Sequence, residues 1–521
     1  VQVSFLFGCK GLERRGTFMS GRTKLATVLA ISALVAAPTA TASAAAEPAG
    51  PALAKKLAKK VTAEGVNRHL IALQRIGDRN GGTRAALTPG YDASVDYVAG
   101  KLRDEGFIVS TPTFSFDIPV TDAELARVDG VDYQALIMTA SPQTPAGGIT
   151  GPLRVVPEDA TTGCEASDFA GQDFTGSIAL IRRGGCTFAQ KHLNAFAAGA
   201  IAVLVSNNVA GPLTNVTLTN PGKIPVGGIS QADGTTLIGK AGASVTLDMR
   251  FHTESRTQRN ITAQTRTGRT DNVVMAGSHL DSVEAGPGIN DNGSGSAALL
   301  ETALQLGSRP KVDNAIRFAW WGAEERGLIG STEYVRSLTF EQQLDIALYL
   351  NFDMIASPNA AYFIYDGDDS DAVGSPAGPY GSAQIEKAFA DYFVAKGIPT
   401  EGTDFTGRSD YGEFIAQGIP AGGLFTGAEG VKTEAQAAKW GGTAGVAYDH
   451  CYHSKCDNLG NIDRTALGRN AGAIAFVTAA YGVSTEDVNG VPPRAKRADA
   501  RKSASLMKAA RTDDHSHAAV A

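Results

Sequence analysis

Apolar residues recur at three- and four-residue intervals in VNRHLIALQRIG (66–77) and YDASVDYVAGKLRDEG (91–106), a spacing that gathers them on one side of an α-helix. FIVSTPTFSF (107–116) then reads as a strand. From 258 onward, short and nearly continuous apolar runs alternate with helical text. NVVMAGSHL, AIRFAWWG, IALYLNFDMI, AYFIYD and AGGLFTG read as strands, and SAALLETALQLG and QIEKAFADYFVAKG as helices between them. Strands apolar on both faces and separated by helices predict an α/β fold, a mostly parallel mixed sheet sandwiched by helices. Ligands of such folds gather beyond the carboxyl ends of the strands.

Between about 117 and 256 the character changes. GSIALIRRGGCTFAQKHLNAFAAGAIAVLVSNN reads as strand, turn, helix, strand, with His192 but no cluster of carboxylates and imidazoles. This apolar pattern, with Cys164 and Cys186 flanking it, resembles a protease-associated (PA) domain, a non-catalytic module often inserted into secreted peptidases. The expected organisation is a main domain made of 66–116 and 257–486, interrupted by a smaller α/β domain at 117–256. A length of 521 residues agrees with more than one core.

Composition adds most at the ends of the chain. After Met19 come Arg22 and Lys24, the apolar run LATVLAISALVAA and the small-residue stretch TATASAAA. A basic region, a short apolar core and an A-x-A site make a secretory signal, too short to span a membrane stably. Residues 1–46 are therefore expected to be upstream sequence plus signal, with 1–18 and Cys9 ahead of the initiator. A leader or propeptide is expected at 47–65, and a disordered basic tail at 487–521, where His515 and His517 are incidental. The mature protein is expected to be secreted and extracellular. Its net charge of −6 points to neither nucleic acid nor an anionic membrane as partner. Without Cys9, an even set remains: Cys164, Cys186, Cys451 and Cys456. In an exported chain this favours two disulfides. Of three possible pairings, Cys164–Cys186 with Cys451–Cys456 is preferred because each pair falls within one local unit.

Acidic and histidine residues collect at the ends of the apolar strands. They are His279 and Asp281 in SHLDS, Asp291 in INDNGSG, Glu324 and Glu325 in WWGAEERG, Asp353 in NFDM and His453 in CYHSKC. Each alone has a plain explanation. An Asp before Asn-Gly is usually a turn residue or helix cap, adjacent glutamates usually face solvent, and a lone His between cysteines usually braces a loop. Together these explanations weaken, because carboxylates crowded at one sheet mouth repel unless cations neutralise them. Two imidazoles with three carboxylates suit a pair of zinc ions, and two-metal hydrolases need a carboxylate bridging ions about 3.5–4 Å apart. His279 and Asp281 are two apart on a strand and share a face, so Asp281 can accept the imidazole's second N–H. Glu324 and Glu325 can address one site only where the chain leaves the strand, as GAEERG suggests. One could then bind metal while the other stays free as a base.

The order SHLDS…GINDNGSGSAALLETA…RFAWWGAEERGLIGS…YLNFDMI…GRSDY…GGLFTG…KWGGTAG…CYHSKCD resembles the secreted co-catalytic zinc aminopeptidases of family M28, particularly the streptomycete type. The resemblance implies two zinc ions per chain, one on His279 and Asp353, the other on Glu325 and His453, with Asp291 bridging. It implies Glu324 as general base, Tyr452 polarising the scissile carbonyl, and Arg408 and Phe425 lining the substrate pocket. It also implies a cis peptide at Asp291–Asn292. Substrates would be peptides or proteins with a free N-terminus, preferably beginning with a large hydrophobic, Leu-like residue, and the protein is expected to be a monomer. The chain departs from the short streptomycete type through the insert at 117–256, and through Tyr411 where many relatives have His. The C-terminal helix text TALGRNAGAIAF offers no carboxylate for the calcium that some relatives bind. A carboxypeptidase or glutaminyl cyclase on the same scaffold is the alternative enzyme, although Arg408 is the only obvious base for a terminal carboxylate. A non-catalytic receptor-like protein is the alternative of another class, although such members lose ligands and every expected ligand is present here.

Overall fold

The computed structural model describes residues 49–213, 216–486 and 497–498. The expected signal at 1–46 and all but two residues of the expected tail lie outside them. Eight strands form the main sheet, in the order Ile108–Ser110, Ile261–Gln264, Asn314–Trp321, Arg269–His279, Ile346–Phe352, Ala421–Phe425, Phe363–Tyr365 and Glu401–Thr403. The four strands from Asn314–Trp321 to Ala421–Phe425 are mutually parallel, and antiparallel pairings flank them on both sides. Alternation within the continuous apolar runs explains why both faces are covered. Val274, Ala276, Ile316, Phe318, Trp320, Leu348 and Leu350 join the core beneath the helices Gly295–Leu306 and Arg464–Val483. Their neighbours Met275, Ala319, Trp321 and Tyr349 point the other way, to Tyr411 and Phe414.

The second sheet has eight strands in the order Val131–Gln134, Thr113–Val128, Ser244–Arg259, Ile149–Val155, Ile178–Arg182, Ala202–Ser206, Val226–Ile229 and Leu136–Ile137. Its parallel portion, from Ile149–Val155 to Val226–Ile229, is the strand–helix–strand unit expected at the insert, with helix Phe188–Ala197 between two of its strands. The two sheets are joined through one long antiparallel ladder, Thr113↔Arg259 to Val128↔Val245. FIVSTPTFSF is therefore not one strand. Ile108–Ser110 pairs in the main sheet and Thr113 begins the ladder of the second, the break falling at Pro112, which lacks an N–H to donate.

Two chain ends behave differently from their composition. Ala49–Lys60, read as leader, is a helix whose Ala54 and Leu57, with Val61 beyond its end, are at most 3 % exposed within the main core. Their spacing of three and four residues gives one apolar side, which the abundance of Ala and Lys obscured. In the tail, the guanidinium of Arg497 is buried and donates to the Leu344 carbonyl at 2.9 Å and to Asn272 Oδ1.

Candidate active site

The donors converge because parallel strands end at one edge. Strand Arg269–His279 ends on His279, Ile346–Phe352 stops one residue before Asp353, and Asn314–Trp321 stops shortly before Glu324 and Glu325. Asp291 comes from the loop leading into helix Gly295–Leu306, and His453 from the Cys451–Cys456 loop. His279 Nε2 is 3.3 Å from Asp291 Oδ1, 3.3 Å from Asp353 Oδ1 and 3.9 Å from Glu324 Oε2. His453 Nε2 is 3.3 Å from Asp291 Oδ2 and 3.0 Å from Glu325 Oε2. The two oxygens of Asp291 thus face two different imidazoles, each with a further carboxylate of its own. Ala323 takes a φ of 55°, and this turn lets both glutamates face the cluster.

The donor set fits paired cations. Two ligands about 2.0–2.1 Å from a tetrahedral zinc stand about 3.3 Å apart, the separation seen around Asp291. Oε1 of Glu325 is buried without a hydrogen-bond partner among the described residues, so a buried acceptor is left for a cation. Burial, and then the Asp291 carboxylate, push the Glu325 carboxyl up to about 7. Glu324 is raised well above the usual carboxylate range by burial, and Asp410, Asp353 and Glu325 add to it. For His453, burial opposes charge but the carboxylates of Asp291 and Glu325 win and carry the ring to about 10. Shifts in these directions mark carboxylates crowded closely enough that a bound cation would neutralise them. His279, Asp291, Glu324 and Asp353 are at most 9 % exposed, whereas the His453 side chain is 43 % exposed, so the cluster opens to solvent on its side.

Around the donors lies a shell of positioning groups. The carboxylate of Asp281 is 3.7 Å from His279 Nδ1; the nearer acceptor is its own backbone carbonyl, at 3.1 Å. That bond fixes Nδ1 as donor and leaves Nε2 as the free lone pair. The Asp281 carboxylate instead accepts the N–H groups of Glu324 and Glu325 at 3.2 and 3.3 Å, anchoring the turn that presents them. Ser409 Oγ donates to Asp353 Oδ2 at 2.6 Å. Sequence reading missed Arg84, whose guanidinium is fully buried and donates to the carbonyls of Leu280, Pro287 and Gly288. Burial pulls it down to about 10, against the fields of Asp281 and Asp457, so it stays cationic beneath the carboxylates at neutral pH. Asp457 was missed as well. It accepts the N–H groups of Asn290 and Asp291 at 2.8 and 2.9 Å. The Asp291–Asn292 peptide is cis, and a Cβ on Gly288 (φ 58°) would stand 2.2 Å from the Asp291 carbonyl oxygen, so only glycine fits there.

Tyr452 stacks on the His453 ring at 3.8 Å, and its hydroxyl oxygen accepts from Arg408 Nη2 at 3.1 Å. Burial, with Asp291 adding, raises its phenol above the ordinary value and keeps it a proton donor. Arg408 also reaches Glu429 at 2.8 Å, at the exposed rim. Phe425 stacks on Phe363, whose edge meets Trp440 and Tyr448 in an aromatic group, and the next residue, Thr426, donates to the carbonyl of Met354, the residue after Asp353. Tyr411 does not open onto the rim. It is buried between Tyr365 and Phe405, and its hydroxyl accepts the Gly407 N–H. Both preferred disulfides, Cys164–Cys186 and Cys451–Cys456, are formed.

Comparison with known proteins agrees with this geometry. Residues 260–478 match the model of peptidase family M28, and residues 149–237 that of the PA domain. The chain is 48 % identical over 443 residues to the probable lipoprotein aminopeptidase LpqL of Mycobacterium tuberculosis, covering 84 % of this chain and 88 % of that one. It is 48 % identical over 439 residues to the probable leucine aminopeptidase 2 of Aspergillus fumigatus, covering 82 % and 84 %. A zinc aminopeptidase from Bacillus subtilis superposes with a TM-score of 0.61 at 26 % identity, covering 82 % of this chain and 98 % of that chain. The protein therefore belongs to peptidase family M28, as an aminopeptidase with a PA domain set into it.

Proposed function

We propose that the protein is a secreted metallo-aminopeptidase that holds two zinc ions and releases large hydrophobic, Leu-like residues from peptide N-termini. The observation that carries this reading is Asp291, whose Oδ1 is 3.3 Å from the His279 imidazole and whose Oδ2 is 3.3 Å from that of His453. His279 and Asp353 would hold one zinc and Glu325 and His453 the other, with Asp291 between them. Zinc bound there supplies Lewis-acid activation and neutralises the clustered carboxylates. Glu324, buried and left out of the ligand set, takes a proton from the attacking water and returns it to the departing amine. The Tyr452 phenol donates to the developing oxyanion. Carboxylates in excess of those the metals need attract the substrate's terminal ammonium. The aromatic group of Phe425 and Phe363 offers an apolar wall for the first side chain, in keeping with the name of the Aspergillus relative. Export is supported by the signal-like text after Met19 and by the two disulfides. Among the described residues no helix is long and apolar enough to cross a membrane.

The test compares leucine anilide with its N-acetylated form, and with alanine and glutamate anilides. The reading expects cleavage of the free amine alone, fastest for leucine. Equal cleavage of the acetylated compound would contradict an exopeptidase that requires a free N-terminus.

A further inference from the structure

Three loops meet at the rim of the cluster in a way the ligand set does not require. Glu429 lies just beyond strand Ala421–Phe425, Arg408 just ahead of helix Gly412–Ala416, and Tyr452 within the disulfide loop. Glu429 Oε1 accepts from Arg408 Nη1 at 2.8 Å, and Arg408 Nη2 donates to the Tyr452 hydroxyl oxygen at 3.1 Å. A guanidinium has donors only, so the phenol oxygen must be the acceptor. Its single hydrogen is then turned away from Arg408 and is free for another oxygen. The ring is held independently by its stack on His453. Arg408 is itself in register with the cluster, because the next residue, Ser409, donates to Asp353 at 2.6 Å.

We propose that Glu429 and Arg408 are positioning residues that aim the Tyr452 hydroxyl at the substrate carbonyl: Glu429 fixes the guanidinium, and the guanidinium occupies the phenol's acceptor side. This rests on the reading of Tyr452 as the oxyanion donor. It gives Arg408 work beyond lining a pocket and gives Glu429, an exposed carboxylate, a role through Arg408 rather than on the substrate's ammonium. The effect belongs to the transition state, so it falls on kcat and leaves KM nearly alone.

A double-mutant cycle on the full-length, zinc-loaded enzyme tests it with leucine anilide, zinc content being checked in each variant. Glu429→Gln is isosteric and exposed, and is expected to lower kcat about three- to fivefold, the reach of one exposed ion pair, with KM changed less than about twofold. In a Tyr452→Phe background the same substitution is expected to do nearly nothing, since the group it aims is gone. Arg408→Lys, which cannot bridge both partners, is expected to reproduce the Glu429→Gln loss. A rise in KM at unchanged kcat, no effect at all, or the full loss persisting in Tyr452→Phe would overturn the proposal. If Tyr452→Phe itself turns over like wild type, the oxyanion role of Tyr452 fails and this proposal with it. A slow Tyr452→Phe with an additive Glu429→Gln loss defeats the positioning chain alone.

Discussion

Glu324 and Glu325 are consecutive and chemically identical, yet their surroundings give them different work. Glu325 has His453 Nε2 at 3.0 Å, and that imidazole also faces Asp291, an arrangement suited to holding a metal ion. Glu324 is 3.9 Å from His279 Nε2, beyond hydrogen-bond distance, and burial keeps its affinity for a proton high. A carboxylate near the ions but unbound by them is suited to carry a proton in both directions. Glu324→Gln is therefore expected to keep its zinc and lose about 10²- to 10⁴-fold in kcat. Glu325→Gln should lose metal first. Turnover and zinc content measured on the same samples check both, and a fully active Glu324→Gln would refute the base assignment.

At the scale of elements, one short segment holds the exposed side of the cluster. The Cys451–Cys456 loop presents Tyr452 and His453, and its continuation supplies Asp457 to the N–H groups around Asp291. His453 has a φ of 53°, a conformation a free loop seldom keeps. Replacing both cysteines by serine is expected to lower zinc retention after dialysis, whereas opening Cys164–Cys186, in loops beside the second sheet, should leave it unchanged. Equal retention in both variants would show that the disulfide does not brace the ligand. The helix Ala49–Lys60 makes a second case. Leu57 is 2 % exposed in the main core, so Leu57→Ala is expected to cost about 2–4 kcal/mol in urea unfolding. No change would mean that the segment adds nothing to the stability of the main core.

Seen whole, the molecule was most legible in sequence where periodicity and chemistry agree. The apolar runs at 272–280, 315–322 and 346–355 are strands because they are buried on both faces, and their ends carry His279, Glu324, Glu325 and Asp353. Less legible were groups whose role depends on distant chain. Arg84 has nothing near it in sequence to mark it, since the carbonyls that bury it lie some 200 residues on. The strand ends at His279, so Asp281 lies beyond it, and its carboxylate, 3.7 Å from His279 Nδ1, turns to the Glu324–Glu325 backbone, because a two-residue spacing does not fix a partner once the strand has ended. The expected joints at 117 and 256 fall inside a continuous ladder, since a two-stranded arm carries no mark where one sheet yields to the next. The proposed function requires that the donors gathered at one sheet edge hold two ions, and zinc bound per chain at equilibrium reports this most directly. The dialysed full-length protein should hold two, with Asp291→Ala losing both along with activity. A wild-type value of one or none at full activity would contradict the account.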